Sequence, residues 1–182
     1  MRCIPKVQTL MFSATMTRGI VALADMCTTE PEKLLLQGVS AHKEENLGTG
    51  SHYEAPAKLM QYYMVVRPED KINTFYSFLK SHQKQKIVVF LSTCKQVRFL
   101  YESFRKFKLG SPLYELQGHQ KQTKRMAIYF TFCEKKHGVL LCTNIAARGL
   151  DFPKVDWVFQ IDAPDQADIY VHRVGRTARY RS

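Results

Sequence analysis

The chain has 182 residues, of which 45% are apolar and 24% charged, which excludes a disordered chain and suits one medium domain with an appendage. No run of about 18 apolar residues occurs, so we expect no membrane-spanning helix. The formal net charge of +11 favours a polyanionic partner, and the lack of a basic amphipathic helix ranks nucleic acid above a lipid surface.

Cysteine usage and the start of the chain bear on compartment and metal binding. The five cysteines contain no Cys-x-x-Cys pair and are odd in number, which argues against a zinc site and a disulfide framework. Free thiols fit a reducing compartment such as the cytosol or nucleus. Residues 1–5 lack the apolar segment of a secretory signal, so we expect no export. The histidines share no metal-ligand spacing, and we predict no metal site.

The N-terminal part of the chain predicts two strands and a helix, followed by a linker. Residues 7–12 form an apolar run typical of a buried strand, and residues 17–26 are typical of a helix. Residues 33–36 make a second short apolar run. From residue 38 to residue 56 the chain is rich in Gly, Ser, His and Glu and loses its periodicity, which indicates a linker.

Strand-like and helix-like segments alternate regularly after residue 57. Pro68 suits the first turn of a helix because its φ is fixed, and the carboxylates of Glu69 and Asp70 suit the positive end of that helix. Further helices are predicted over residues 97–104 and 121–135 and from about residue 166. The predicted strands cover residues 59–66, 87–91, 113–116, 139–142 and 155–161.

This alternation predicts an α/β domain in which a parallel sheet carries helices on both faces. The strands are continuously apolar, which agrees with a sheet that is buried on both sides. The pattern alone fits any flavodoxin-like or Rossmann domain. No Gly-x-Gly-x-x-Gly sequence follows the first strand of the repeat, so a nicotinamide-dependent enzyme is disfavoured.

Small and polar residues follow each strand of the predicted sheet, and ligands gather at the carboxyl ends of strands in such sheets. Hydroxyls, backbone amides and a glycine that allows close approach suit a sugar-phosphate backbone. Because four such segments meet at one edge, the sequence predicts a binding groove there. The segments are Ser92-Thr93, Gln117-Gly118-His119, Thr143-Asn144 and Asp162.

Two segments near the end of the chain contain side chains suited to binding ribose and phosphate. In the segment from residue 143 to 151, Asp151 follows an Arg-Gly turn and could accept hydrogen bonds from ribose hydroxyls. In the segment from residue 172 to 179, the offsets of His172, Arg176 and Arg179 place them on one face of a predicted helix. Two guanidinium groups one turn apart can clamp a phosphate. This segment contains no Asp or Glu to pair with them.

These segments resemble the conserved motifs of DEAD-box ATP-dependent RNA helicases. Thr-Asn-Ile-Ala-Ala-Arg-Gly-Leu-Asp (residues 143–151) is similar to motif V, and His-Arg-Val-Gly-Arg-Thr-Ala-Arg (residues 172–179) to motif VI. Residues 13–15, Ser-Ala-Thr, match motif III, residues 122–125 match the Gln-x-x-Arg motif, and residues 87–93 resemble motif IV. Five motifs in family order cover nearly the whole chain. The wording around residues 76–80, 95–106 and 118–122 is most similar to the nucleolar ribosome-assembly branch.

The resemblance implies a RecA-like fold of the P-loop NTPase type and a role for each motif in ATP turnover. Arg176 and Arg179 would act as arginine fingers on the γ-phosphate, and His172 would support them as a catalytic residue. Gly149 and Asp151 would complete the nucleotide site beside the two arginines. ATP would be the cofactor, with Mg²⁺ held mainly by the first motor domain.

The resemblance also implies an RNA groove and a set of coupling residues. Single-stranded RNA or a short duplex would be bound without sequence preference, through its backbone and 2′-hydroxyls. Interdomain coupling would involve Ser13, Thr15, His172 and Arg173. The RNA-binding residues would be Ser92, Thr93, Gly118, Gln122, Arg125, Thr143 and Gly149.

The domain organisation follows from the same motifs. Residues 1–37 would be the C-terminal tail of the first helicase domain, residues 38–56 the interdomain linker, and residues 57–182 the second RecA-like domain, truncated at its end. Partners would be the N-terminal helicase domain of the same protein and pre-ribosomal particles, with no membrane. The expected location is the nucleus and nucleolus, and otherwise the cytoplasm.

Some features depart from the family pattern or are missing from this chain. Asn144 stands where the family usually has Asp, Gln117 replaces a common His, and Ala178 replaces a common Gly. Neither a Gly-x-x-x-x-Gly-Lys-Ser/Thr loop nor an Asp-Glu-Ala-Asp sequence occurs, so the phosphate cradle and the magnesium carboxylate are absent here. We therefore expect the chain to be a fragment of a longer protein that does not hydrolyse ATP alone.

Two other functions remain open from the sequence. A non-catalytic RNA-binding scaffold would share the groove, but it would have no need of the arginines of motif VI. A DNA helicase or translocase of a related superfamily would share the sheet and the arginines. The Gln-x-x-Arg and Ala-Ala-Arg-Gly-Leu-Asp sequences favour RNA over DNA as the substrate.

Overall fold

A computed structural model describes residues 8–13, 18–30, 32–34, 59–144, 150, 152–153 and 155–177. The chain divides into two compact units, Met1–Tyr53 and Glu54–Ser182. None of the helices described is long and apolar enough to cross a membrane. The three domain boundaries proposed from the motifs stay a prediction.

The described residues of the first unit include a helix, α1 (Arg18–Cys27), which confirms the helix predicted over residues 17–26. The strand predicted over residues 7–12 is wrong for its described part, since residues 8–12 form no strand and Phe12 is 89% exposed. Residues 33–34 likewise form no strand, and the rest of that prediction lies outside the described residues. Apolar side chains indicate that a segment favours burial. A strand also requires backbone hydrogen bonds to a neighbouring strand, which the composition of the segment does not reveal.

The second unit alternates helices and strands as the sequence predicts. A 3₁₀ turn, Pro68–Asp70, leads directly into the first helix of this unit. The helices are α2 (Lys71–Ser81), α3 (Cys94–Lys106), α4 (Gln122–Glu134) and α5 (Ala167–Val174). The strands are β1 (Lys86–Phe90), β2 (Leu113–Leu116), β3 (Gly138–Cys142) and β4 (Trp157–Gln160).

The four strands form one parallel sheet in the order β2-β3-β1-β4. Val88 of β1 lies opposite Leu140 of β3 and Val158 of β4, and Leu140 lies opposite Tyr114 of β2. The central strands β1 and β3 are buried along their whole length. This sheet confirms the predicted α/β class with parallel strands.

Side chains of β1 alternate between two cores, one on each face of the sheet. Ile87 and Val89 pack with α2 and α3, where the buried residues include Phe75, Leu79, Val97, Leu100 and Phe104. Val88 and Phe90 pack on the other face with α4 and with residues after β3, including Phe132 and Phe152. Helices therefore cover both faces, and the carboxyl edge of the sheet is left for binding.

The strand predicted over residues 59–66 is wrong. These residues are β-branched, aromatic or otherwise apolar in large part, but none belongs to a ladder in the part of the chain that the structure describes. Tyr63 is 94% exposed and Val65 is 89% exposed. Side chains of the segment contact β4 and α5: the Tyr62 and Trp157 rings lie 6.1 Å apart, and the Tyr170 hydroxyl bonds the Gln61 amide oxygen.

Candidate nucleic-acid and nucleotide interface

The four polar segments lie at one edge of the sheet because all strands are parallel. The Leu91 N–H donates to the Cys142 carbonyl over 2.9 Å, and the Ile161 N–H donates to the Phe90 carbonyl over 3.1 Å. These bonds extend the pairing to the last residue before each loop. From one end of the edge to the other, the order is residues 117–119, 143–144, 92–93 and 162.

The Ser92-Thr93 loop is held in place by the helix that it starts. The Thr93 hydroxyl accepts from the Gln96 N–H at 3.2 Å, and the Thr93 N–H donates to Oε1 of Gln96 at 2.9 Å, which is a capping box. Ser92 and Thr93 are both exposed. The loop is therefore rigid and accessible, although the Thr93 hydroxyl already serves as the N-cap of α3.

Asp162 joins three elements at this edge. Its Oδ2 accepts from the Ser92 N–H at 3.1 Å, and its Oδ1 accepts from Nζ of Lys71 at 2.6 Å. Burial acts to raise the pKa of the Asp162 carboxyl, but the hydrogen bonds from Lys71 and Ser92 and the charge of Lys71 outweigh burial and hold this pKa below its usual value. The sequence signal was an acid directly after a strand. Its partner Lys71 lies 91 residues away and carried no signal.

Asp162→Asn should destabilise the domain by about 1–3 kcal/mol at pH 7, because two charge-assisted hydrogen bonds are weakened. The lowered pKa means that the unfolded state binds more protons, so this stabilisation is complete above the ordinary carboxyl value of 3.8 and is lost as pH falls through the folded value. Denaturant unfolding of both proteins between pH 7 and pH 3 measures the difference. A gap between the two curves that widens on acidification would contradict this assignment.

The Gly118 turn is organised by a carboxylate and two glutamines. The Gln117 amide donates to a Glu115 carboxylate oxygen at 2.7 Å, and the Gln117 N–H donates to Oε1 of Gln120 at 3.2 Å. The Gln120 N–H closes the turn on the Gln117 carbonyl at 3.3 Å. Gly118 itself is exposed at the tip. Gln117, which replaces the common histidine, thus has a structural role that the sequence did not reveal.

The Gln-x-x-Arg residues lie on the first turn of α4, beside the Gly118 turn. Gln122 is exposed and Arg125 is half-buried. The Nε of Arg125 is buried and forms no hydrogen bond with the part of the chain that is described. Thr143, the remaining described member of the predicted RNA set, is half-buried between the loops after β1 and β2. The structure brings these residues to one edge, while their contact with RNA stays a prediction.

Arg173 is the most deeply buried charged residue described, at 1% exposure. Its Nε and Nη2 donate to Oδ1 of Asn144 at 2.9 and 2.7 Å. Its Nη1 donates to the Gln160 side chain at 3.0 Å and to the Asp162 carbonyl at 2.9 Å. The guanidinium also lies 5.2 Å from the centre of the Phe90 ring. One side chain of α5 therefore ties together the ends of β1, β3 and β4.

Burial around Arg173 shifts the pKa of the neighbouring groups. Burial lowers the pKa of the Arg173 guanidinium, and the nearby Cys142, Asp162 and Asp165 oppose that shift. Burial raises the pKa of the Cys142 thiol, although Arg173 opposes the shift. Cys142 is therefore a neutral core residue, and it donates to the Val89 carbonyl at 3.3 Å. The coupling role predicted for Arg173 stays a prediction, and from this position Arg173 would act through the strand ends.

Arg176 lies beside the segment that leads to Asp151. Its Nε donates to the His172 carbonyl at 3.1 Å, and its Nη1 donates to the Leu150 carbonyl. Arg176 is only 6% exposed. The prediction that His172, Arg176 and Arg179 share a helix face is wrong in its described part, because α5 ends at Val174 and the chain continues as tighter turns to Thr177.

Several predicted site residues lie outside the described residues: Thr15, Gly149, Asp151 and Arg179. Ser13 belongs to the first unit and is exposed. His172 is half-buried on α5. Among the described residues, no group of three or more His, Cys, Asp or Glu could hold a metal ion.

Comparison with known proteins identifies the family. The model of the helicase conserved C-terminal domain matches residues 70–181. The ATP-dependent RNA helicase DBP4 of Cryptococcus neoformans is 48% identical over 178 residues, which cover 98% of this chain and 20% of that relative. This chain therefore spans about a fifth of the length of this curated relative.

Solved structures agree with this match. Domain 2 of the DEAD-box helicase Mss116p, bound to an RNA duplex, is 33% identical with a TM-score of 0.54, over 63% of this chain and 45% of that one. Dbp5 of S. cerevisiae, bound to RNA and ADP BeF3, is 29% identical with a TM-score of 0.56, over 62% of this chain and 30% of that one. The chain belongs to the helicase conserved C-terminal domain family, in its DEAD-box branch.

Proposed function

We propose that this chain is the RNA-holding and finger-bearing part of an ATP-dependent RNA helicase. The observation that carries the proposal is the convergence at one sheet edge. Four strand-end loops lie there. Arg173 of motif VI bonds two of them, at Asn144 and Asp162, and Arg176 bonds the Leu150 carbonyl, further along the segment that follows β3. The similarity to DBP4 of Cryptococcus neoformans, an ATP-dependent RNA helicase, supports the activity.

RNA would bind along the edge from Gly118 to Ser92. The exposed Gly118 turn would allow close backbone approach, the half-buried Arg125 would supply a cation, and the exposed Ser92 hydroxyl would supply a donor. Such contacts fix a sugar-phosphate backbone without reading bases. Domain 2 of Mss116p, which is similar in sequence and fold, has been solved with an RNA duplex, and this supports the assignment.

The nucleotide would lie next to this edge, where Arg176 bonds the segment that leads to Asp151. The guanidinium of Arg176 donates hydrogen bonds to two carbonyl oxygens. Phosphate oxygens accept from the same N–H groups, so they could replace the carbonyl oxygens when a nucleotide binds. ATP supplies the phosphoryl group and the free energy of the cycle. Arg176 and Arg179 would neutralise charge on that group, while Gly149 and Asp151 would contact the sugar.

Closure of two motor domains around RNA and nucleotide would then drive strand separation. Ser13, Thr15, His172 and Arg173 would couple the nucleotide state to this closure. Arg173 bonds the ends of β3 and β4, so its displacement would move the RNA loops with the nucleotide site. Mg²⁺ would be held mainly by the first motor domain, whose phosphate loop is not part of this sequence.

The proposed substrate is precursor ribosomal RNA in the nucleus or nucleolus, within pre-ribosomal particles. This step rests on the resemblance of residues 76–80, 95–106 and 118–122 to the nucleolar branch. The high net charge of +11 is consistent with work on a polyanionic particle.

The full-length parent protein should hydrolyse ATP with strong RNA stimulation, and its RNA affinity should change with the bound nucleotide. Phosphate release with and without single-stranded RNA, and fluorescence anisotropy with ATP analogues or ADP, measure both. If RNA affinity is the same with every nucleotide and no ATP hydrolysis is detected, the protein is instead a non-catalytic RNA-binding scaffold. A DNA translocase would be stimulated by single-stranded DNA as strongly as by RNA.

A further inference from the structure

The outer face of α3 carries an apolar groove that the proposed helicase function does not use. The inner face of this helix buries Val97, Leu100 and Phe104 in the core. On the outer face, Phe99 is 61% exposed and Phe107, just past the helix end, is 60% exposed. A depression of about 260 Å³ lies between them, lined by Arg98, Phe99, Glu102, Ser103, Lys106 and Phe107.

One wall of this α3 groove is fixed by the neighbouring helix. The Tyr76 hydroxyl of α2 donates to the Phe107 carbonyl at 3.2 Å, and the two rings meet edge to face with centroids 6.1 Å apart. The Phe107 N–H also donates to the Phe104 carbonyl at 3.1 Å. An exposed ring that is already ordered loses little conformational entropy on binding, so Phe107 is suited to a recognition surface.

The spacing of the two phenylalanines limits what can bind. Phe107 follows Phe99 by eight positions, which at the helical rise per residue corresponds to about 12 Å along the axis. The small side chain of Ser103 lies between them and leaves room for an inserted group. Two side chains four residues apart in an extended peptide are separated by about 13 Å. An extended segment with apolar anchors at that spacing therefore fits the groove.

The charges around the groove select an acidic segment. Arg98 and Lys106 line it together with one carboxylate, Glu102, which makes a long ion pair with Arg105 of the same helix at 3.9 Å. This positive surplus would attract carboxylates. Exposed rings beside basic residues can also bind single-stranded RNA. A polyphosphate chain would, however, have to pass the Glu102 carboxylate, whereas a peptide can place apolar groups there.

We propose that the α3 groove docks an extended acidic segment of another protein, anchored by two apolar side chains four residues apart. The apolar anchors would pack on Phe99 and Phe107, and carboxylates would meet Arg98 and Lys106. The site lies on the outer face of α3, while the candidate RNA loops lie at the carboxyl edge of the sheet. The residues that line the α3 groove are therefore different from those proposed to bind RNA.

The test uses the full-length protein and a fluorescein-labelled twelve-residue peptide rich in Glu and Asp, with two phenylalanines four residues apart. Saturable binding is expected by anisotropy, and the same peptide with both phenylalanines changed to alanine should bind at least about tenfold more weakly. Phe99→Ser, Phe107→Ser and the double variant R98E/K106E should each weaken binding by at least about tenfold. Phe130→Ser, at a phenylalanine 55% exposed on α4, is the matched control and should bind as the unaltered protein does.

Three outcomes would overturn the proposal. The first is no saturable binding of the acidic peptide by a protein whose thermal unfolding is unchanged. The second is equal weakening by Phe130→Ser, which would show non-specific apolar contact. The third is displacement of the peptide by a twelve-nucleotide oligouridine whose own affinity falls on Phe99→Ser, which would make this surface a nucleic-acid site.

Discussion

Arg176→Ala in the full-length parent protein is expected to lower RNA-stimulated ATP turnover by about 10³–10⁵-fold. This loss corresponds to roughly 4–7 kcal/mol of barrier. The reason is that a guanidinium stabilises charge that develops on the transferring phosphoryl group, and alanine leaves that charge unpaired. The measurement is kcat from phosphate release at saturating ATP and RNA.

Arg176→Lys separates the forked geometry from the charge. Lysine keeps the positive charge but cannot make two parallel hydrogen bonds, so we expect turnover to stay severely reduced. RNA affinity without nucleotide should change by less than about threefold for both variants. Arg105→Ala is the matched control, since this arginine of α3 is 65% exposed and far from motif VI in sequence.

A parallel fall in turnover and nucleotide-free RNA affinity would contradict the finger role. Arg176 bonds two backbone carbonyls, so its loss could instead distort the loop that leads to Asp151. Melting temperatures of the variants test this. A structural role would lower the melting temperature and weaken RNA binding together, whereas a finger leaves both near those of the unaltered protein.

The sheet was predictable because each of its strands is short, apolar and bounded by polar residues. β2 was predicted over Leu113–Leu116, as observed. β1 is shifted by one residue towards the N-terminus from its predicted range, and β3 begins one residue earlier than predicted. Residues 59–66 satisfy the same pattern and form no strand. The difference is physical, since β1 and β3 have neighbours on both sides and gain a full ladder of hydrogen bonds. Composition cannot report whether a partner strand exists.

For the candidate site, the sequence predicts which loops lie together but not the long-range contacts between their side chains. Parallel strands place all their carboxyl ends at one edge, so the loops at Thr93, Gly118 and Thr143 could be grouped from the chain alone. The Lys71–Asp162 pair joins residues 91 apart, and such long-range contacts have no periodic signal. The end of α5 was also missed, because the offsets of the motif VI arginines continue a helix that stops at Val174.

Arg173→Ala should lower the free energy of unfolding of the domain by roughly 3–5 kcal/mol. Truncation removes hydrogen bonds to Asn144, Gln160 and the Asp162 carbonyl and leaves a cavity at the ends of three strands. Urea unfolding followed by circular dichroism measures the loss. Arg105→Ala, at an exposed arginine, should stay within about 0.5 kcal/mol of the unaltered protein.

Asn144→Asp should have the opposite sign. The Asn144 side chain already accepts two bonds from a buried guanidinium at 2.9 and 2.7 Å, but it brings no charge to balance it. A carboxylate in the same place would make both bonds charge-assisted, which we expect to raise the free energy of unfolding by about 1–3 kcal/mol. The Arg173 charge lowers the folded pKa of this carboxyl, so the gain is complete above its unfolded pKa and is lost as pH falls through the folded value.

A double-mutant cycle decides whether this gain comes from the pair. In the Arg173→Ala background, Asn144→Asp has no guanidinium to meet and should destabilise, because a half-buried carboxylate is then unpaired. The coupling energy between the two sites should therefore exceed about 1 kcal/mol. Equal effects of Asn144→Asp in both backgrounds would show that Arg173 is balanced by other groups, such as Asp162 and Asp165. In that case the neutral side chain of Asn144 would not lower the stability of the contacts between the ends of β3 and β4.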